Sequence, residues 1–275
     1  MTELTLRHSF VSEQGRVAWD AIGDGEPLVL IHGTPFSSYI WRDVAPLLAP
    51  YFRVHLWDLA GYGDSEMKED QDVSLPAQAR ILGQLLDEWE LDAPMVVGHD
   101  FGGAIALLAM LTENKTFTRL VLADAVALRP WGTGFFQLAQ QHSDILRQLP
   151  SPVHHGLVKG YIQWAAHHTL DAPTIERLAA PWSSEEGRDA LYRQIIQNGP
   201  HLTDEVQDRY SEVSTPTLII WGEHDAWLPI DQAHQLHQII PDSRLGIVAD
   251  AGHLVPLDKP ERLADEVVRF LSNAY

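Results

Sequence analysis

The sequence predicts an α/β protein: a mostly parallel central sheet with helices on both faces and one inserted helical stretch. Three observations predict it. Short runs rich in β-branched residues, at 27–31, 53–57, 95–97, 120–122, 217–221 and 245–248, lack the alternation of a half-exposed strand, as expected for strands covered on both faces. Helical periodicities lie between them, which implies parallel strands joined by crossover helices. From 129 to 212 the alternation stops, and the chain becomes helical and rich in turns, with Pro130, Pro150, Pro152, Pro173, Pro181 and Pro200.

Along the chain, residues 4–11 and 16–22 read as two strands joined through Glu13-Gln14-Gly15, and Asp24-Gly25-Glu26-Pro27 is the next turn signal. Residues 74–90 carry Leu75, Ala79, Leu82, Leu85, Leu86 and Trp89 near helical spacing, with Ser74 placed to cap and Pro76 in the first turn. A helix is expected over 104–111 after Gly102-Gly103. A last helix over 260–271 sets Leu263, Val267, Val268 and Leu271 on one face. The organisation is a core of residues 1–128 and 213–275 with a helical cap at 129–212.

Composition narrows the function. The 275 residues are 45% hydrophobic, and 19 Lys+Arg against 38 Asp+Glu give a net charge of −19. That balance argues against binding a phosphate backbone, which needs clustered cations, and it disfavours anionic substrates. With no Cys, a disulfide scaffold, a thiolate metal site and a thiol nucleophile are excluded. The start lacks a basic stretch followed by an apolar core. The longest apolar run, 104–111, is far short of the ~20 residues that span a bilayer. The expectation is a cytoplasmic protein with no nucleic-acid or membrane partner, present as a monomer or small homo-oligomer.

The chemistry concentrates in three segments. In Val97-Gly98-His99-Asp100-Phe101-Gly102-Gly103 a strand enters a tight turn flanked by glycines and leaves as an apolar helix. Such a turn projects its central side chain from the sheet edge, so Asp100 reads either as a nucleophile or as an ordinary helix N-cap. His32-Gly33-Thr34-Pro35 follows another strand. It is either a plain turn or the source of a backbone N–H, at Thr34, that pairs with the N–H of Phe101 as an oxyanion hole. Gly252-His253 follows the last strand, and Asp225 precedes it by 28 residues. The chain order Asp100, Asp225, His253 is nucleophile, acid, base. Asp124, after the strand at 120–122, is the alternative acid. His154-His155 and His167-His168 read as surface or packing residues rather than metal ligands.

These motifs, together with Asp58-Leu59-Ala60-Gly61-Tyr62-Gly63-Asp64-Ser65, resemble the α/β-hydrolase superfamily over essentially the whole chain. The insertion falls where that family carries its cap. An Asp nucleophile sharpens the expectation. A carboxylate attacking an acyl carbon makes an anhydride, whereas one attacking a saturated electrophilic carbon makes an alkyl ester that His-activated water can cleave. Within the superfamily this resembles epoxide hydrolases and haloalkane dehalogenases, with a small neutral apolar substrate plus water and no cofactor or metal. The epoxide branch is favoured. Its cap tyrosines, which protonate the opened oxygen, are matched by Tyr161 and Tyr192, with Tyr210 weaker. Against the dehalogenase branch, Phe101 stands where a halide-binding Trp is usual, although Trp131, Trp164 or Trp182 could donate instead. The substrate pocket is expected to include His32, Phe36, Trp131 and Trp164. An esterase and a non-catalytic homologue are the remaining alternatives.

Overall fold

The computed structural model describes residues 5–272. Eight strands form one sheet: β1 (His8–Ser12), β2 (Gly15–Ile22), β3 (Glu26–Ile31), β4 (Phe52–Trp57), β5 (Met95–His99), β6 (Arg119–Ala123), β7 (Thr217–Gly222) and β8 (Arg244–Val248). Their order is β1-β2-β4-β3-β5-β6-β7-β8. The β1–β2 and β2–β4 pairs are antiparallel, and every later pair is parallel. The expected strands are all present, with ends one or two residues longer. The exception is the first, expected from residue 4. Leu4 lies outside the described residues, and the strand begins only at His8, because the Arg7 N–H donates to the Asp20 carboxylate instead of a ladder partner.

Eleven α-helices are described: α1 (Ala45–Leu48), α2 (Leu75–Glu88), α3 (Phe101–Leu111), α4 (Gly134–Leu146), α5 (Ser151–Ala165), α6 (Ala172–Ala179), α7 (Glu185–Gln197), α8 (His201–Gln207), α9 (Asp231–Ile239), α10 (Val255–Asp258) and α11 (Pro260–Ser272). The Ser74 side chain accepts from the Ala77 N–H and caps α2, as its sequence implies. In α11, Leu263, Val267, Phe270 and Leu271 are buried. Helices α4 to α8 lie between β6 and β7 with no strand among them, and Pro152 and Pro173 sit in the first turns of α5 and α6, where proline is best tolerated. Helix α3 starts at Phe101, three residues before the apolar run. Gly102 is therefore helical, and it permits close packing: a Cβ there would fall 2.3 Å from the Ile31 carbonyl oxygen.

The sheet sets up a crevice. From β3 the chain passes to β4 on one side, while β5 lies on the other. This is a topological switch point, where open parallel sheets leave room for a ligand beyond their carboxyl ends. Thr34 follows β3 and Asp100 follows β5. No described helix is long and apolar enough to cross a membrane.

Candidate active site

Asp100, between β5 and α3, has φ 53° and ψ −120°, a conformation non-glycine residues rarely adopt, and its side chain makes no capping bond to α3. The N-cap alternative therefore fails. Strain of this kind costs roughly 1–3 kcal/mol and persists where the surrounding structure enforces it. Here the Asp100 carbonyl accepts the N–H groups of Gly103 and Val126, which hold the turn. Its carboxylate points across the crevice, where Oδ1 accepts the Thr34 N–H at 2.7 Å. The backbone of Phe101, the second expected donor, adjoins Asp100, and its ring lines the same pocket.

His253 stands between two carboxylates. Its Nδ1 is 2.9 Å from Asp225 Oδ2 and its Nε2 is 3.3 Å from Asp100 Oδ2. The Asp225 side chain is fully buried, and its Oδ1 accepts the N–H groups of Trp227 and Leu228. Burial works against a charge on His253, but Asp225 and Asp100 outweigh it and hold the imidazole well above its ordinary range. Asp124, the alternative acid, makes no bond to the base. Its Oδ1 accepts the Gly222 N–H, and burial, followed by the charge of Asp225, pushes its carboxyl well above the usual carboxylate range.

Around Asp100 the pocket is lined by Thr34, Phe101, Trp131, Thr133, Phe136, Tyr161 and Trp227, among others. It is tight, a cavity of about 20 Å³. Tyr161 stacks on Trp227 at 4.3 Å, and its hydroxyl is 3.1 Å from Thr133 Oγ1. Burial, and to a lesser degree the charge of Asp100, push its phenol pKa upward, so it stays protonated at neutral pH.

Several expectations need correction. Tyr192 is buried, but its hydroxyl faces His154 Nδ1 at 3.3 Å and it does not line the pocket. Two residues along α7, Gln194 is the residue that reaches the site: its Oε1 accepts the hydroxyls of Thr34 and Tyr62. His32 is not a pocket residue either. Its Nε2 accepts the Leu59 N–H, its Nδ1 faces the Gly33 carbonyl, and burial pushes its pKa down to about 4. It holds the Thr34 turn as a neutral ring. Phe36 stacks behind Trp227 at 5.7 Å, and Trp164 is 47% exposed outside the pocket. Trp131 does line the pocket, but its indole N–H is committed to Thr203, and that of Trp182 to the Pro35 carbonyl. The Tyr210 hydroxyl donates to the Ala127 carbonyl.

Sequence reasoning missed Trp227, Thr133 and Gln194. Trp227 lies on the loop that carries Asp225, stacks on the His253 ring at 5.0 Å, and has a buried indole N–H with no partner. Its only signal was its place two residues after the acid.

The alpha/beta hydrolase fold family matches residues 26–260. A crystal structure of an alpha/beta hydrolase fold protein from Burkholderia ambifaria is 41% identical with a TM-score of 0.94, over 97% of this chain and 98% of that one. Haloalkane dehalogenase 2 of Mycobacterium tuberculosis is 25% identical over 274 residues, 94% of this chain and 92% of its own length. Pimeloyl-[acyl-carrier protein] methyl ester esterase of Photobacterium profundum is 27% identical over 259 residues, 93% of this chain and 98% of its own. The relatives span different reactions but share one architecture. With the match covering most of its length, this chain belongs to the alpha/beta hydrolase fold family.

Proposed function

We propose that this chain is a hydrolase that forms an alkyl ester on Asp100 with a small neutral electrophile and then cleaves that ester with water. The observation that carries this reading is a carboxylate at the strained turn, held by the Thr34 N–H and facing His253 Nε2 in an apolar pocket. An Asp in this place is a poor start for ester cleavage, because attack on an acyl carbon yields an anhydride.

In the first step Asp100 Oδ2 attacks a saturated carbon and the ester C–O bond forms as that carbon's bond to the leaving atom breaks with its electron pair; a halide departs, whereas an opened epoxide oxygen stays on the substrate and takes the Tyr161 proton. Oδ1 becomes the ester carbonyl oxygen. In the second step His253 Nε2 takes a proton from water, and the hydroxide adds to Asp100 Cγ. Negative charge develops on Oδ1, where the Thr34 and Phe101 N–H groups stabilise it. Collapse expels the alkoxide, which takes the proton back from His253, and the carboxylic acid left on Asp100 gives up its proton, to solvent or to the Tyr161 phenolate where an epoxide was opened, so the nucleophile is restored. Asp225 orients the imidazole throughout.

An epoxide is the favoured electrophile. Tyr161 brings a protonated phenol into the pocket, and Thr133 holds its hydroxyl. One tyrosine, rather than the expected pair, serves the opened oxygen. The second reading is a haloalkane, favoured by the unpartnered indole N–H of Trp227. It would suit a departing halide. Incubation with short terminal epoxides and with haloalkanes of the same size separates the two. Diol formation supports the first reading and halide release the second. Neither product, with no covalent adduct, rejects both.

A further inference from the structure

We propose that His167, His168 and Asp250 form a site for a divalent transition metal of the zinc class, which ties the inserted helices to the loop carrying the candidate base. None of the three lines the pocket at Asp100. His167 and His168 follow α5, and Asp250 follows β8, three residues before His253. Their three ligand atoms lie within 4.8 Å of one another. His167 Nε2 is 3.3 Å from Asp250 Oδ1, and His168 Nε2 is 3.3 Å from Asp250 Oδ2. Two ligands each about 2.05 Å from a tetrahedral zinc stand about 3.3 Å apart, the spacing of each His–carboxylate pair here, and His168 Nε2 leaves its 3.1 Å contact with the Asp250 carbonyl to take an ion. Two imidazoles and one carboxylate are the donors that zinc and its late first-row neighbours prefer, with water completing the shell.

The backbone under these ligands is already fixed. The Asp258 carboxylate accepts the N–H groups of His167, His168 and Gly252, so both sides of the site hang on one anchor. The His224 ring stacks on His167 at 4.3 Å, which limits how that imidazole turns. Glu223 accepts the Asp250 N–H and adds negative charge nearby. Lys259 Nζ lies 2.5 Å from Asp250 Oδ2, and a bound ion displaces it, exchanging one cation for another. Both faces of the joint matter, because α5 carries Tyr161 and the loop carries His253.

The test is zinc binding to the chelator-treated full chain, read by a chromophoric competitor and by thermal unfolding. One zinc per chain with micromolar or tighter affinity is expected, with a raised Tm. His168→Ala and Asp250→Ala should each weaken binding at least about tenfold and abolish the Tm shift. His155→Ala is the control; it removes an exposed His–carboxylate contact away from the site, to Glu176, and should change neither readout. Circular dichroism confirms that each variant is folded. No saturable binding below about 100 μM, or zinc binding that survives both ligand substitutions unchanged, overturns the proposal. Because the readouts are binding and unfolding, they stand whether or not the Asp100 reaction is correct.

Discussion

His253 Nε2 lies 3.3 Å from Asp100 Oδ2 without an aligned hydrogen bond. The nitrogen is near enough to serve a water attacking Asp100 and is not tied up by the carboxylate. This geometry separates the two chemical steps. Asp100 alone forms the ester, whereas cleavage needs the base. His253→Gln should therefore accumulate an adduct, seen by intact-protein mass spectrometry as an increase equal to the epoxide's mass. Asp100→Asn should show no adduct and lose turnover by about 10³-fold or more. An unmodified His253→Gln protein after exposure to a turned-over substrate would remove the covalent step.

The charge on His253 predicts a pH dependence. Burial opposes the imidazolium, but the carboxylates of Asp225 and Asp100 hold its pKa well above 6.5. Esterification neutralises Asp100, so the pKa falls in the intermediate, when a free base is required. Single-turnover cleavage of the ester should have its acid limb at lower pH than the His253 titration seen by NMR in the free protein. Coincident values would mean that Asp100 keeps its charge. Stability follows the opposite sense. A histidine raised in the folded state adds stability that is complete below about pH 6.5 and is lost as pH rises through the folded value. The Tm difference between the wild type and His253→Gln should shrink correspondingly as pH rises.

How much of this was legible depends on how local each signal is. The strands of the parallel sheet are readable because burial on both faces demands an unbroken apolar run. Asp100, Asp225 and His253 are readable because each follows a strand in a short motif. Tyr192 misled for a geometric reason. Residues two apart on a helix point about 200° away from each other, and both faces of α7 are buried, so periodicity could not say which faced Asp100. Gln194, on the other face, reaches the Thr34 and Tyr62 hydroxyls beside the site. Trp227 was missed because a tryptophan near a strand end reads first as packing, and only the fold stacks it on His253.

Tyr161 and Tyr192 are therefore expected to behave differently. Tyr161→Phe removes the hydroxyl beside Thr133 and should slow adduct formation from an epoxide by about 10²–10⁴-fold, the range for loss of a positioned proton donor. Tyr192→Phe loses only a contact to His154 and should react almost normally. Trp227 bears on the haloalkane reading. Replacement by Phe keeps a stacking ring but removes the N–H, so halide release should fall while epoxide opening is largely retained. Equal rates in Tyr161→Phe and wild type would transfer the donor role elsewhere.

Asp124 and Asp225 divide the roles of the two acids near the base. Asp124 is pushed well above the carboxylate range by burial and then by Asp225. An acid raised in the folded state gives stability only at low pH and costs stability once pH passes its unfolded value. Asp124→Asn keeps an oxygen for the Gly222 N–H and cannot ionise. It should match or exceed the wild-type Tm at pH 7, with little change in turnover. Asp225→Asn should cut turnover by up to about 10⁴-fold, because an amide favours the wrong imidazole tautomer. The reverse ranking in steady-state assays would make Asp124 the acid.

Gly33 tests whether the carboxylate's position, rather than its presence alone, sets the rate. A Cβ on Gly33 would fall 2.1 Å from Asp100 Oδ1 and 2.4 Å from Asp100 Cβ. Oδ1 is the oxygen that the Thr34 N–H holds at 2.7 Å. Asp100 cannot swing away freely, because its strained backbone is fixed by the bonds to Gly103 and Val126. The added methyl must displace either the carboxylate or the turn that carries Thr34, and both routes separate the oxyanion donor from the oxygen it serves. Gly33→Ala should lower turnover by about 10²–10³-fold, the range for losing one such donor, although Asp100 and His253 are both still present. Gly134→Ala is the matched control, since a Cβ there meets nothing within 4 Å. Wild-type turnover in Gly33→Ala would mean that the Thr34 contact to Asp100 is not what makes the ester cleavable.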